Sequence, residues 1–73
     1  METAWFRYAL EIEKQRSINK AAEQLFISQP SLSKAMHEME RELGYAVFDR
    51  SNHGVTVTPR GRAFLNSAGR ICR

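Results

Sequence analysis

Seventy-three residues make room for one small domain, and a chain this short buries only about 60% of its unfolded surface, so its core must be lean. With 42% apolar and 26% charged residues the composition is that of a globular module, which excludes disorder, collagen and a coiled coil. The longest apolar run, Tyr45-Ala46-Val47-Phe48, falls far short of the roughly 20 residues of a membrane span. Glu2, Arg7, Glu11 and Glu13 interrupt any signal-peptide core.

A single cysteine, Cys72, excludes an internal disulfide framework; it reads as a helix-packing residue in a cytoplasmic, reducing environment. The net charge of +3 is unevenly spread. Residues 1–42 hold six Lys/Arg against seven Glu, whereas residues 43–73 hold five Arg against Asp49 alone. The asymmetry points to a polyanion near the C-terminal half.

The predicted elements are mostly α. Phe6, Ala9, Leu10 and Ile12 give a first helix over about residues 2–15, ended by Lys14-Gln15-Arg16-Ser17. Asn19 is the expected N-cap of a short second helix, whose Ala21 and Ala22 allow close approach of a neighbour. Ser28 caps a third helix with Pro30 in its first turn. Leu32, Met36, Met39 and Leu43 then form one apolar stripe, and Gly44 ends the helix. Val47–Arg50 and Val55–Thr58 read as two strands around the turn Ser51-Asn52-His53-Gly54. Thr58-Pro59 starts a last helix with Phe64, Leu65, Ala68 and Ile71 on its apolar side. That pattern is still running at Arg73, as expected of a segment cut from a longer protein. Met36, Met39, Phe6 and Phe48 are assigned to the core, and Trp5 and Tyr8 to core or dimer packing.

The two short helices joined by Phe26-Ile27 have the outline of a helix-turn-helix, in which the second helix enters the major groove N-terminal end first. At roughly 100° per residue, Gln29, Ser33, Lys34 and His37 share a polar face with Pro30, about 120° from the apolar stripe. Gln can bond adenine in bidentate fashion, Ser a base or phosphate, Lys a guanine or phosphate, and a proline ring can touch a thymine methyl. Ser28 reads as a cap rather than a base contact. Glu38 and Glu42 lie farther along, where such a helix leaves the groove. Three readings fit these residues: a sequence-specific DNA reader, a non-specific architectural winged helix, and a protein-docking module. The last is disfavoured by the polar character of the exposed helix. No nucleophile elbow, enclosed pocket or metal-spaced cluster is legible, so no catalytic residue, metal or cofactor is assigned.

Asn19-Lys-Ala-Ala-Glu-Gln-Leu, Ile27-Ser-Gln-Pro-Ser-Leu-Ser33, Glu40-Arg-Glu-Leu-Gly44, Val47-Phe-Asp-Arg50 and Val57-Thr-Pro59 together resemble the LysR-type transcriptional regulators, over nearly the whole chain. The resemblance implies a winged helix-turn-helix: a three-helix core, a β-hairpin wing and the start of a C-terminal linker helix. Residues 1–58 would form the DNA-binding domain, with its helix-turn-helix at about 18–37, and 59–73 the start of the linker. A small-molecule effector domain would lie outside this chain. The implied function is sequence-specific binding of double-stranded DNA by a bacterial regulator, on a pseudo-palindromic operator. The protein would be a homodimer held through Phe64, Leu65, Ala68 and Ile71, with RNA polymerase as a further partner.

Carried over by position, the base-reading residues are Gln29, Pro30, Ser33 and Lys34, and the backbone contacts are Asn19, Lys20, Ser31 and Arg50. Lys34 stands where the family often has arginine, which makes bidentate guanine reading less assured. His53 stands where a wing-tip arginine commonly enters the minor groove. A weaker wing contact and less preference for narrow, A/T-rich grooves are expected.

Overall fold

The computed structural model describes residues 1–51 and 54–71, with side chains described as far as residue 67. His53 and Cys72 lie outside the described residues. The element order is α1 (Thr3–Gln15), α2 (Ile18–Leu25), α3 (Gln29–Leu43), β1 (Phe48–Ser51), β2 (Gly54–Val57) and α4 (Pro59–Ile71). This is the mostly helical, hairpin-winged architecture expected from the sequence.

Three helices converge on one apolar centre. Trp5, Ala9 and Ile12 of α1, Ala21 and Ala22 of α2, and Leu32, Met36 and Met39 of α3 are buried together with Val47, Phe48, Val55 and Leu65. The alanines have no side chain to hold the helices apart, so α2 lies tight in the corner between α1 and α3. Trp5, at 5% exposure, therefore belongs to this core. Leu43, the last residue of the α3 stripe, is only partly buried at its edge.

The helix boundaries follow from their caps. The Ser28 hydroxyl accepts from the Ser31 N–H at 3.2 Å, and Gly44 ends α3 in a left-handed conformation with its N–H on the Glu40 carbonyl at 2.9 Å. The start of α2 differs from expectation: Ser17, not Asn19, is the N-cap, its Oγ accepting from the Lys20 N–H at 3.1 Å. Arg16 is left-handed (φ 56°), which reverses the chain at once and leaves Ser17 extended and three residues ahead of that donor. Asn19 lies inside the first turn instead.

The strands run antiparallel, with Phe48 opposite Val57 and Ser51 opposite Gly54. Each is displaced by one residue from its expected span, because Val47 and Thr58 serve other purposes. The Val47 carbonyl accepts from the Thr58 N–H at 2.9 Å, and the Thr58 hydroxyl donates to the Ala46 carbonyl at 2.6 Å and accepts from the Gly61 N–H at 2.9 Å. Thr58 thereby caps α4 and fastens it beneath the wing. Gly61 is buried against Val47, and a Cβ there would run into the Val47 carbonyl oxygen.

α4 is not simply an outward-facing linker. Leu65 is 2% exposed in the domain core, and Phe64 stacks on Phe6 with ring centroids 5.3 Å apart. Both were expected on a dimer face. The same helical periodicity serves an internal core here, since α1 supplies an apolar partner for the first two turns. The side chains of Ala68 and Ile71 lie outside the described residues.

Candidate nucleic-acid interface

The first turns of α2 and α3 emerge on the same side of the domain, next to β1. Gln29, Pro30, Ser31, Lys34 and His37 are exposed and Ser33 is half-buried, while the opposite face of α3 fills the core. The cap fixes how α3 begins: besides accepting from the Ser31 N–H, the Ser28 hydroxyl donates to the Ser31 Oγ at 2.8 Å. Ser28 is therefore committed to the helix end.

A shallow cleft of about 220 Å³ separates α3 from the wing and the α1–α2 corner; Arg16, Ser17, Asn19, Gln29, Arg50 and Ser51 are among the residues lining it. It brings three of the expected residues together: Asn19, Gln29 and Arg50. Ser31 and Lys34 line a second cleft on the other flank of α3, shared with Glu2, Trp5, Tyr8 and Glu38. The separation is geometric, since Gln29 and Ser31 point roughly 200° apart around the helix. Glu38, one turn beyond Lys34, is thus closer to the expected contact residues than the sequence reading placed it. Lys20 is exposed on the first turn of α2 and lines neither of these clefts.

Arg50 is held by two side chains of α3. Its Nη1 lies 2.8 Å from Nε2 of His37, and its Nη2 lies 3.9 Å from Oε1 of Glu40. The other Glu40 oxygen accepts from the N–H groups of Val47 and Phe48, at 2.8 and 3.1 Å. One carboxylate thus satisfies two backbone donors at the entry to the wing and faces the arginine that leaves it. The sequence reading gave Glu40 no such part, and local patterning could not, because its partners lie seven and eight residues away. Arg16, read only as part of a polar helix end, also lines the cleft. Phe26, read as a joint, is left-handed (φ 59°) and 94% exposed.

Residues 3–62 match the family described as bacterial regulatory helix-turn-helix protein, lysR family. The chain belongs to the LysR family. It is 47% identical over 73 residues to the HTH-type transcriptional regulator YcgK of Bacillus subtilis strain 168, covering 100% of this chain and 22% of that protein. It is 39% identical over 71 residues to the regulator TfdS of Cupriavidus pinatubonensis, covering 97% of this chain and 24% of that protein. The chain thus spans about a quarter of the length of these LysR-type relatives. Its fold superposes on the BenM DNA-binding domain in complex with catB site 1 DNA, with a TM-score of 0.94 at 35% identity, over 99% of this chain and 81% of that one. The CbnR DNA-binding domain in complex with DNA gives a TM-score of 0.93 at 33% identity, over 99% and 83%. The architecture is the LysR winged helix-turn-helix.

Proposed function

We propose that this chain binds double-stranded DNA sequence-specifically as the N-terminal domain of a bacterial transcriptional regulator. One observation carries the reading: the capped N-terminal end of α3 is exposed, presents Gln29 and Pro30, and borders a cleft that Asn19 and Arg50 also line. Gln29, Pro30, Ser33 and Lys34 read base edges in the major groove. Asn19, Lys20, Ser31 and Arg50 contact phosphates and supply most of the affinity, and His53 addresses the minor groove from the wing. The DNA complexes of the BenM and CbnR domains, which share this fold, support DNA binding by this domain.

The remaining parts of the function belong to a longer protein of the kind the relatives represent. A small-molecule effector is bound outside this chain, and RNA polymerase is a partner in the transcriptional response. Two copies pair through the continuation of α4, beginning with Ala68 and Ile71, so that a twofold protein meets a pseudo-palindromic operator in the cytoplasm.

The test is selection of bound duplexes from a random DNA library at physiological salt. Enrichment of a half-site, alone or paired about one helical turn from its mate, supports the reading. Binding without enrichment that disappears as salt rises would instead mark a non-specific module.

A further inference from the structure

We propose that Arg16 is a second phosphate-binding arginine, set at the α1–α2 corner of the cleft that Arg50 also lines; the proposal rests on the DNA-binding reading above. Its backbone is left-handed, at φ 56° and ψ 29°. That conformation disfavours any residue with a Cβ, and glycine or asparagine is the usual occupant of such a helix end. The backbone duties at this position need no side chain. The Arg16 N–H donates to the Ile12 carbonyl at 2.7 Å, and its carbonyl accepts from the Val55 N–H at 3.3 Å, which ties the corner to the wing. Glycine would make both bonds without strain. The backbone at this corner therefore does not require an arginine, and its guanidinium is left for other contacts.

That guanidinium belongs to an exposed residue and makes no ion pair among the described residues. The neighbouring arginines are engaged: Arg50 by His37 and Glu40, Arg62 by Glu13, and Arg60 over the Tyr45 ring at 4.5 Å. Arg16 also borders a cleft containing Glu13, but that carboxylate is already paired with Arg62. On the other side it shares the cleft of about 220 Å³ with Ser17, Asn19, Gln29 and Arg50. Two arginines and two short polar side chains around an open cleft suit a phosphodiester, and Gln29 on the same cleft places that phosphate beside a base-reading residue.

The experiment compares the 73-residue chain with Arg16→Gly and Arg16→Lys, measuring affinity for a labelled duplex of mixed sequence across a salt series together with the melting temperature. Arg16→Gly is expected to bind several-fold more weakly at low salt, with a salt slope shallower by about 0.9. Its melting temperature is expected to hold or rise by up to roughly 4 °C as the left-handed strain is relieved. Arg16→Lys should keep the wild-type slope, since a point charge still displaces a counterion. An unchanged slope in Arg16→Gly overturns the proposal. So does a lower melting temperature, which would assign Arg16 to offsetting the α1 dipole, or a shallow slope in Arg16→Lys. A wild-type chain that binds no duplex at any salt would overturn the DNA-binding reading itself, which separates the two failures.

Discussion

Arg50 and His37 meet at 2.8 Å, Nη1 to Nε2, and so join the first strand of the wing to the exposed face of α3. An arginine nitrogen offers only protons, so Nε2 of His37 is the acceptor in this contact. Glu40 stands behind the same guanidinium at 3.9 Å and holds the strand entry through Val47 and Phe48. The wing and the reading helix therefore present their contacts as one body. In the DNA-binding mode proposed above, this positioning would set where a phosphate lies relative to Gln29.

Removal of Arg50 and removal of His37 should separate charge from orientation. Arg50→Ala is expected to weaken binding to every duplex and to make the salt slope shallower by about 0.9. His37→Ala leaves the guanidinium in place, so the slope should persist while affinity falls roughly threefold, the scale of one exposed hydrogen bond. Fluorescence anisotropy over a salt series checks both. A shallower slope for His37→Ala would show that His37 carries charge to the DNA itself.

Glu40→Ala should act on stability rather than on charge at the interface. The Val47 N–H belongs to a fully buried residue, and both it and the Phe48 N–H lose their acceptor when the carboxylate goes. The loss is on the order of 2–3 kcal/mol, or roughly 10–20 °C in melting temperature for a domain of this size. Thermal denaturation followed by circular dichroism gives the number. Glu40→Gln keeps one acceptor oxygen and should recover part of the loss.

These contacts also mark how far the sequence could be read. Ser28, Pro30 and Gly44 announce α3, and Thr58-Pro59 announces α4, because cap chemistry is local and each signal lies within four residues of what it controls. The polar face of α3 was legible for the same reason. Ser17 was not, since an arginine gives no warning that it will adopt the left-handed conformation that moves the cap from Asn19 to Ser17. Glu40 looks like any surface glutamate until the fold brings Val47 and Phe48 to it. Leu65 shows a different limit: periodicity identifies an apolar face but not whether its partner is α1 of the same chain or a second copy.

Gln29→Ala tests base reading directly. Gln29 is exposed at the start of α3, so its truncation should leave the melting temperature within about 1 °C of wild type. Binding to the selected site should weaken by about 1–3 kcal/mol while binding to mixed-sequence DNA is unchanged. Equal losses on the two duplexes would move Gln29 to the backbone-contact group.

Gly61→Ala should damage the joint between wing and α4. The added Cβ meets the backbone of buried Val47, which has no flexible end to move aside. Relief requires α4 to shift away, stretching the Thr58 contacts to Ala46 and Val47. A loss of about 1–3 kcal/mol is expected, against the small gain that Gly→Ala brings in an unstrained helix. Urea denaturation distinguishes the two signs.

Phe26→Asn should move stability the other way. Phe26 ends α2 in the left-handed region (φ 59°, ψ 39°), with its N–H donating to the Glu23 carbonyl at 3.2 Å. Its ring is 94% exposed, so truncation removes almost no buried area and opens no cavity. Asparagine tolerates this backbone through local hydrogen bonding and makes the same capping bond. A gain of about 0.5–1 kcal/mol is expected, seen as a melting temperature higher by roughly 3–6 °C. The helix-turn-helix geometry is set by the backbone at this corner, so DNA affinity should be retained in the same variant. A lower melting temperature would mean that the phenyl ring contributes to the fold through contacts its exposure does not show. A normal melting temperature with lost DNA affinity would place the ring at the interface beside Gln29.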